Sequence, residues 1–202
     1  FMEERWNFKF ASQEQMDELL HISFVNDGRD VPAEISEEDD TDVSDQTSDD
    51  LRLQYWTKAL PILADAFGGD STYSNVSPAT RSTVDGFVGI YGVHLYCSMR
   101  LQKQTLSANV WIDAEDKEKN KQIFDAMYRR KEQVEAAIPH PVKWNRRDDK
   151  RSSTINVELE NVVFSDTNLW DEQFKFLADT CVALKNELID PCADEIREIC
   201  SK

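Results

Sequence analysis

The chain has 202 residues, 40 % of them hydrophobic, enough for one ordinary domain with an appendage. No run approaches the roughly 18 consecutive apolar residues that cross a bilayer, and residues 1–10 alternate charge with aromatics rather than building a signal core, so a cytoplasmic protein with no membrane partner is expected. Four cysteines without a Cys-x-x-Cys pair argue against a disulfide framework, and the net charge of −16 is unevenly spread: residues 1–50 hold 16 acids against 3 bases, leaving the remainder near neutral at −3.

Ser12 and Gln15 stand at capping-box spacing ahead of Met16, Leu19 and Leu20, which predicts a short helix. Residues 30–50 then run through Asp, Glu, Ser and Thr with almost no apolar content and read as a linker, because such a stretch buries too little to offset its ordering entropy. Asp40, Asp42 and Ser44 alternate as a calcium loop would, but Asp45 stands where that loop needs Gly and Leu51 where it needs Glu. No metal is expected there. The division is therefore an acidic arm over 1–50, a folded body over 51–189 and a short helical tail over 190–202.

In the body, Leu53, Trp56, Leu60, Leu63 and Phe67 recur at helical steps until Gly68 and Gly69 stop them. Residues 70–85 read as loop. The period then becomes two: Val93, Leu95, Cys97 and Met99 oppose His94, Tyr96, Ser98 and Arg100, and after a polar turn Leu106, Ala108, Val110 and Ile112 oppose Ser107, Asn109 and Trp111. This predicts a hairpin with one buried face, on which Cys97 acts as a small hydrophobe. Asp113 is placed to cap a long helix reaching Ile138, with Ile123, Phe124, Met127, Tyr128 and Val134 as its stripe and Pro139 and Pro141 as its stop. A second hairpin pairs 142–144 with 154–159 across a charged turn. Trp170, Phe174, Leu177, Cys181, Leu184 and Leu188 mark another helix, and Asp190-Pro191 opens a last one. The fold class expected is α+β: a four-stranded antiparallel sheet from two β-hairpins, each followed by a long helix (α-ββα-ββα), with the helices packed on one face.

Histidine occurs only as His21, His94 and His140, without ligand or helical spacing, and there is no glycine-rich phosphate loop and no Gly-x-Ser-x-Gly elbow. Most hydrolase and nucleotide-enzyme readings thus lack their marks, and no catalytic residue, metal or cofactor is assigned. One enzymatic alternative stands: Asp85 or Asp113 with Glu115-Asp116-Lys117 approximates the acid, acid and lysine of PD-(D/E)XK nucleases, with Asp113, Glu115 and Lys117 as its residues, which would bring Mg²⁺ as cofactor. Acids at those positions also serve as helix N-terminal residues. The basic alternative is the second hairpin, where Lys143, Arg146, Arg147, Lys150 and Arg151 crowd together with Trp144, a pattern suited to phosphates and a stacked base. Asp148 and Asp149 interrupt that run and offer internal ion pairs. Arg129, Arg130 and Lys131 lie on the preceding helix.

Taken in order, Tyr55-Trp56, residues 89–96, Val110-Trp111-Ile112-Asp113, the run from Asp116 to Lys121, Phe124, residues 131–135, Trp144, Asp148-Asp149-Lys150-Arg151, Ile155 and Trp170 give the body a close likeness. It resembles a bacterial domain of unknown function, number 4268, over residues 51–189. That family's domain commonly follows a PD-(D/E)XK-like nuclease domain in restriction or genome-defence proteins. The resemblance implies an accessory role near nucleic acid and supplies no active site to transfer; the chain is read either as a stand-alone member or as the C-terminal part of a longer one. The function expected is non-catalytic recognition, of nucleic acid or a partner nuclease, through the basic hairpin and the outer sheet face. The rivals are the Mg²⁺-dependent nuclease and an adaptor or inhibitor that engages a basic protein through the acidic arm.

Overall fold

The computed structural model describes residues 46–202. The short helix near Ser12, the calcium-like aspartates and the linker up to residue 45 lie outside the described residues. Helix α1 (Gln46–Ala66) begins inside the stretch expected as linker. It buries Tyr55, Trp56, Ala59, Leu60 and Leu63, whereas Leu53, placed on the apolar stripe by its spacing, is 40 % exposed. Trp56, Leu60 and Leu63 keep the inward places their spacing gives them, and the buried face takes in Tyr55 and Ala59 in place of Leu53. Tyr55 meets Trp56, Phe164, Trp170 and Phe174 edge-on, with ring centroids 5.0–5.7 Å apart.

The stretch read as loop contains a strand, β1 (Thr83–Gly86). It has four residues, too few to show a period, and ends on glycine. Glycine is required there: a Cβ on Gly86 would lie 2.8 Å from the ring of buried Tyr73. With β2 (Val93–Arg100), β3 (Thr105–Ile112), β4 (Val142–Asn145) and β5 (Ser153–Leu159), it makes a five-stranded antiparallel sheet in the order β1-β2-β3-β5-β4. The expected four strands and their two hairpins are present, and the correction is the added edge strand.

Register separates the two faces. Val84, Cys97, Ala108, Val157 and Val142 lie opposite one another across the strands on the inner face, as do Leu95, Val110, Ile155 and Trp144. Each of the long helices, and the short helix over 131–137, contributes to the core. On the outer face one polar row runs across all five strands: Asp85, Tyr96, Asn109, Asn156 and Lys143. Tyr96 and Trp111 are buried yet stand outside the inner-face core.

The single long helix expected from Asp113 to Ile138 is two helices, α2 (Lys117–Tyr128) and α3 (Lys131–Ala137). Asp116, not Asp113, is the cap, accepting from the backbone N–H groups of Glu118 and Lys119 at 2.7 and 3.0 Å. The break at Arg129 and Arg130 turns both guanidinium groups onto the C-terminal helices: Arg129 grips Glu195 and Arg130 Nε donates to the Glu187 carbonyl at 2.5 Å. That carbonyl would ordinarily accept from the residue four positions on, which is Pro191 and has no N–H. The helix α4 (Trp170–Leu184) accordingly widens through a π turn at Lys185–Ile189 before continuing as α5 (Asp190–Ser201). The tail is thus an extension of α4, and it buries Cys192 and Ile196. Cys97 and Cys181 are core residues, their sulfurs 3.5 Å apart and both beside the Tyr73 hydroxyl; all four cysteines are free thiols. Among the described residues no helix is long and apolar enough to cross a membrane.

Candidate nucleic-acid interface

The basic hairpin is held from beneath by a lysine. On α2, three and four positions before buried Phe124, Lys121 and Asn120 fall on the inward phase and are themselves buried. The Lys121 ammonium donates to the Arg146 carbonyl at 2.6 Å, the Ser152 carbonyl at 2.9 Å and the Ser153 hydroxyl at 3.0 Å. Ser153 in turn donates to the Arg146 carbonyl at 2.7 Å. Asn120 closes the other side, exchanging two hydrogen bonds with the Ala114 backbone and donating to the Arg151 carbonyl at 3.2 Å. Both ends of the β4–β5 turn are therefore tied to one turn of α2. None of the three groups that accept from Lys121 is a carboxylate. Burial lowers its pKa, and the positive charges of Arg146, Lys117 and Arg147 lower it further.

The hairpin's own bases sit on this clamp in different states. Arg146 makes a two-bond fork onto Asp125 at 2.9 and 3.0 Å and also pairs with Asp148. Arg151 pairs with Asp113 at 2.8 Å, and Lys143 pairs with Glu158 across β4 and β5. Arg147 takes a left-handed backbone, φ 53°, and its carbonyl accepts from the Lys150 N–H at 2.9 Å, so these two residues form the tip of the turn. Trp144 is placed apart from the basic groups. Alternation sends it to the inner face, where it meets Tyr128 and Phe124 edge-on and its indole N–H donates to Glu135 at 3.1 Å. Arg129 and Arg130 turn away from the hairpin, to Glu195 and Glu187, while Lys131 pairs with Glu135, the carboxylate that also accepts from Trp144.

Asp113, Glu115 and Lys117 lie along the connection from β3 to α2, not on a strand. Asp113 is nearly enclosed and held by Arg151, while Glu115 is exposed and Lys117 is the first residue of α2. Among the described residues no group of three or more His, Cys, Asp and Glu is arranged to hold a metal ion. His94 packs against Trp111, and His140 against Phe176; His21 lies outside the described residues.

The outer face adds what spacing did not reveal. Asn145 donates to Asn156 at 3.0 Å, Asn156 to Asn109 at 2.7 Å, and Asn109 to Ser107 at 2.9 Å, a one-way chain of side-chain hydrogen bonds across β4, β5 and β3. Beside it the Trp111 indole N–H is buried with no acceptor among the described residues. At the other edge Asp85 keeps solvent contact, yet close packing around its carboxyl pushes it up to about 6, against the pull of Arg81.

The buried Lys121 ammonium thus organises a basic turn beside a polar row of the outer sheet face. The family model of a domain of unknown function, DUF4268, matches residues 51–191, and the chain belongs to that family. No curated protein and no solved structure matches it.

Proposed function

We propose that this domain is a non-catalytic nucleic-acid recognition module of a prokaryotic, cytoplasmic restriction or genome-defence protein, working through the β4–β5 turn and the outer sheet face. The observation that carries the reading is the Lys121 clamp. Burying an ammonium is costly; the three groups that accept from it are neutral, and the carboxylate of Asp149 in the same turn is the opposite charge that acts on it. The positive potential of Lys121 adds to that of Arg147 and Lys150 at the turn tip, where a phosphate would sit. The internal pairs of Arg146 and Arg151 shape the turn that carries Arg147 and Lys150.

Equilibrium binding of labelled single- and double-stranded oligonucleotides to the full chain, titrated with salt, tests this reading. Affinity should fall as salt rises, and the double variant R147A/K150A should bind more weakly with a shallower salt slope, since each lost phosphate contact removes about 0.7–0.9 from it. Absence of binding, or a variant identical to the parent, would remove the nucleic-acid reading and turn attention to a partner nuclease.

A further inference from the structure

A cavity of about 270 Å³ lies where the end of α3 meets α4. Ala137, Ile138 and His140 line one side; Phe176, Asp179 and Thr180, three and four positions apart on one face of α4, line the other. Pockets that take whole drug-sized ligands run from about 300 to 1,000 Å³, so this one suits a single functional group. Its polar groups are mostly acceptors with spare capacity. Thr180 is 3 % exposed, and its hydroxyl makes no hydrogen bond with another described residue. Asp179 gives Oδ2 to Lys175 at 2.6 Å, which leaves Oδ1 uncommitted among bonds between described residues. At the end of α3, the carbonyls of Glu135 and Ala137 would ordinarily accept from the residues four positions on, which are Pro139 and Pro141 and have no N–H. The rings of His140 and Phe176 meet edge to face, centroids 4.9 Å apart at 86°, and give the cavity an aromatic wall.

We propose that this cavity binds a guanidinium group, independently of the nucleic-acid reading above. A carboxylate, a hydroxyl and unpaired helix carbonyls call for a ligand made of donors, and guanidinium carries five N–H donors and no acceptor. It is flat and weakly hydrated, so it packs on an aromatic wall better than a compact, strongly hydrated ammonium does. Its charge answers the oxygen of Asp179 that Lys175 leaves over. An anion would instead face that carboxylate and the carbonyl end of α3. Free arginine and an arginine side chain of another protein both carry the group, and the experiment separates the two.

The probes are arginine, its neutral isostere citrulline, lysine, and the blocked tripeptide acetyl-Gly-Arg-Gly-amide. Each is titrated against the full ¹⁵N-labelled chain and the variants D179N and T180V, following the amide signals of His140, Asp179 and Thr180 by NMR. In the parent, arginine should move these signals saturably with a midpoint on the order of 1 mM, the strength typical of so small a ligand. Citrulline and lysine should require concentrations higher by about fivefold or more. D179N should weaken arginine binding about tenfold and T180V about threefold, as expected for a charged and a neutral hydrogen bond. T180V removes a buried hydroxyl that no described residue bonds, so its melting temperature should not fall, and it carries the test if D179N fails to fold. A peptide that binds more tightly than arginine assigns the site to an arginine of a partner protein; one that binds no more tightly assigns it to a free guanidinium compound. No saturable shift with either, citrulline or lysine matching arginine, or both variants binding arginine as the parent does, overturns the proposal.

Discussion

Lys121 shows how one side chain can decide the form of a surface. Replacing it with methionine keeps the aliphatic stem but removes the donor to the buried Ser152 carbonyl and the Ser153 hydroxyl and leaves the Arg146 carbonyl with Ser153 alone. The K121M protein should lose about 2–4 kcal/mol of unfolding free energy, checked by urea denaturation. It should also lose more nucleic-acid affinity than the single charge accounts for, because the turn is no longer held. Asp85 gives a second expectation. Its carboxyl titrates at about 6 in the folded chain, against about 3.9 when unfolded. Between these values the folded state keeps a proton that the unfolded state releases, so stability falls as pH rises from about 4 to about 6. In D85N that limb of the stability profile should flatten; identical profiles for the two proteins would remove Asp85 as its source. Sequence held a signal for Lys121, since it stands three residues before Phe124 on the apolar phase, but a lysine among Lys117, Lys119 and Lys121 reads as solvated until its acceptors are seen.

Elements of clear period were legible. Helix α4, strands β2 and β3 and the proline start of α5 follow directly from spacing, because each is long enough to show its period and ends on a residue that stops or opens it. The rest depended on tertiary partners. Strand β1 exists because β2 offers it an edge and Tyr73 fills the space under Gly86. The break between α2 and α3 answers to Glu187 and Glu195, 57 and 66 residues away in the chain. At the junction of β3 and α2, Gly92 has φ +73° and a Cβ there would lie 2.8 Å from Ala114, while its carbonyl accepts from the Asp113 N–H. G92A should therefore destabilise the fold by about 2–3 kcal/mol through strain and contact together. A melting temperature equal to the parent's would mean that the junction adjusts freely. Of the proposed site, the basic hairpin was legible from composition; the amide chain was not, since it depends on β3 lying beside β5.

At the scale of the whole molecule, charge opposes the proposed activity. The chain carries −16, and residues 1–50 account for −13 of it, while the folded body is near neutral. Repulsion of a polyanion by those acids would act only within about 10 Å at 0.1 M salt. Removing residues 1–45 should raise oligonucleotide affinity several-fold at low ionic strength and change it little at high, a difference read from two salt titrations. Should the same deletion instead abolish a stable protein complex, the arm would be the working part and the adaptor reading would take precedence. The most direct test of the account is the salt dependence of oligonucleotide binding by the intact chain beside R147A/K150A. The account predicts binding that weakens with salt and a slope reduced by about 1.4–1.8 in the variant. Binding that is absent, insensitive to salt, or equal in slope for the two proteins would contradict it.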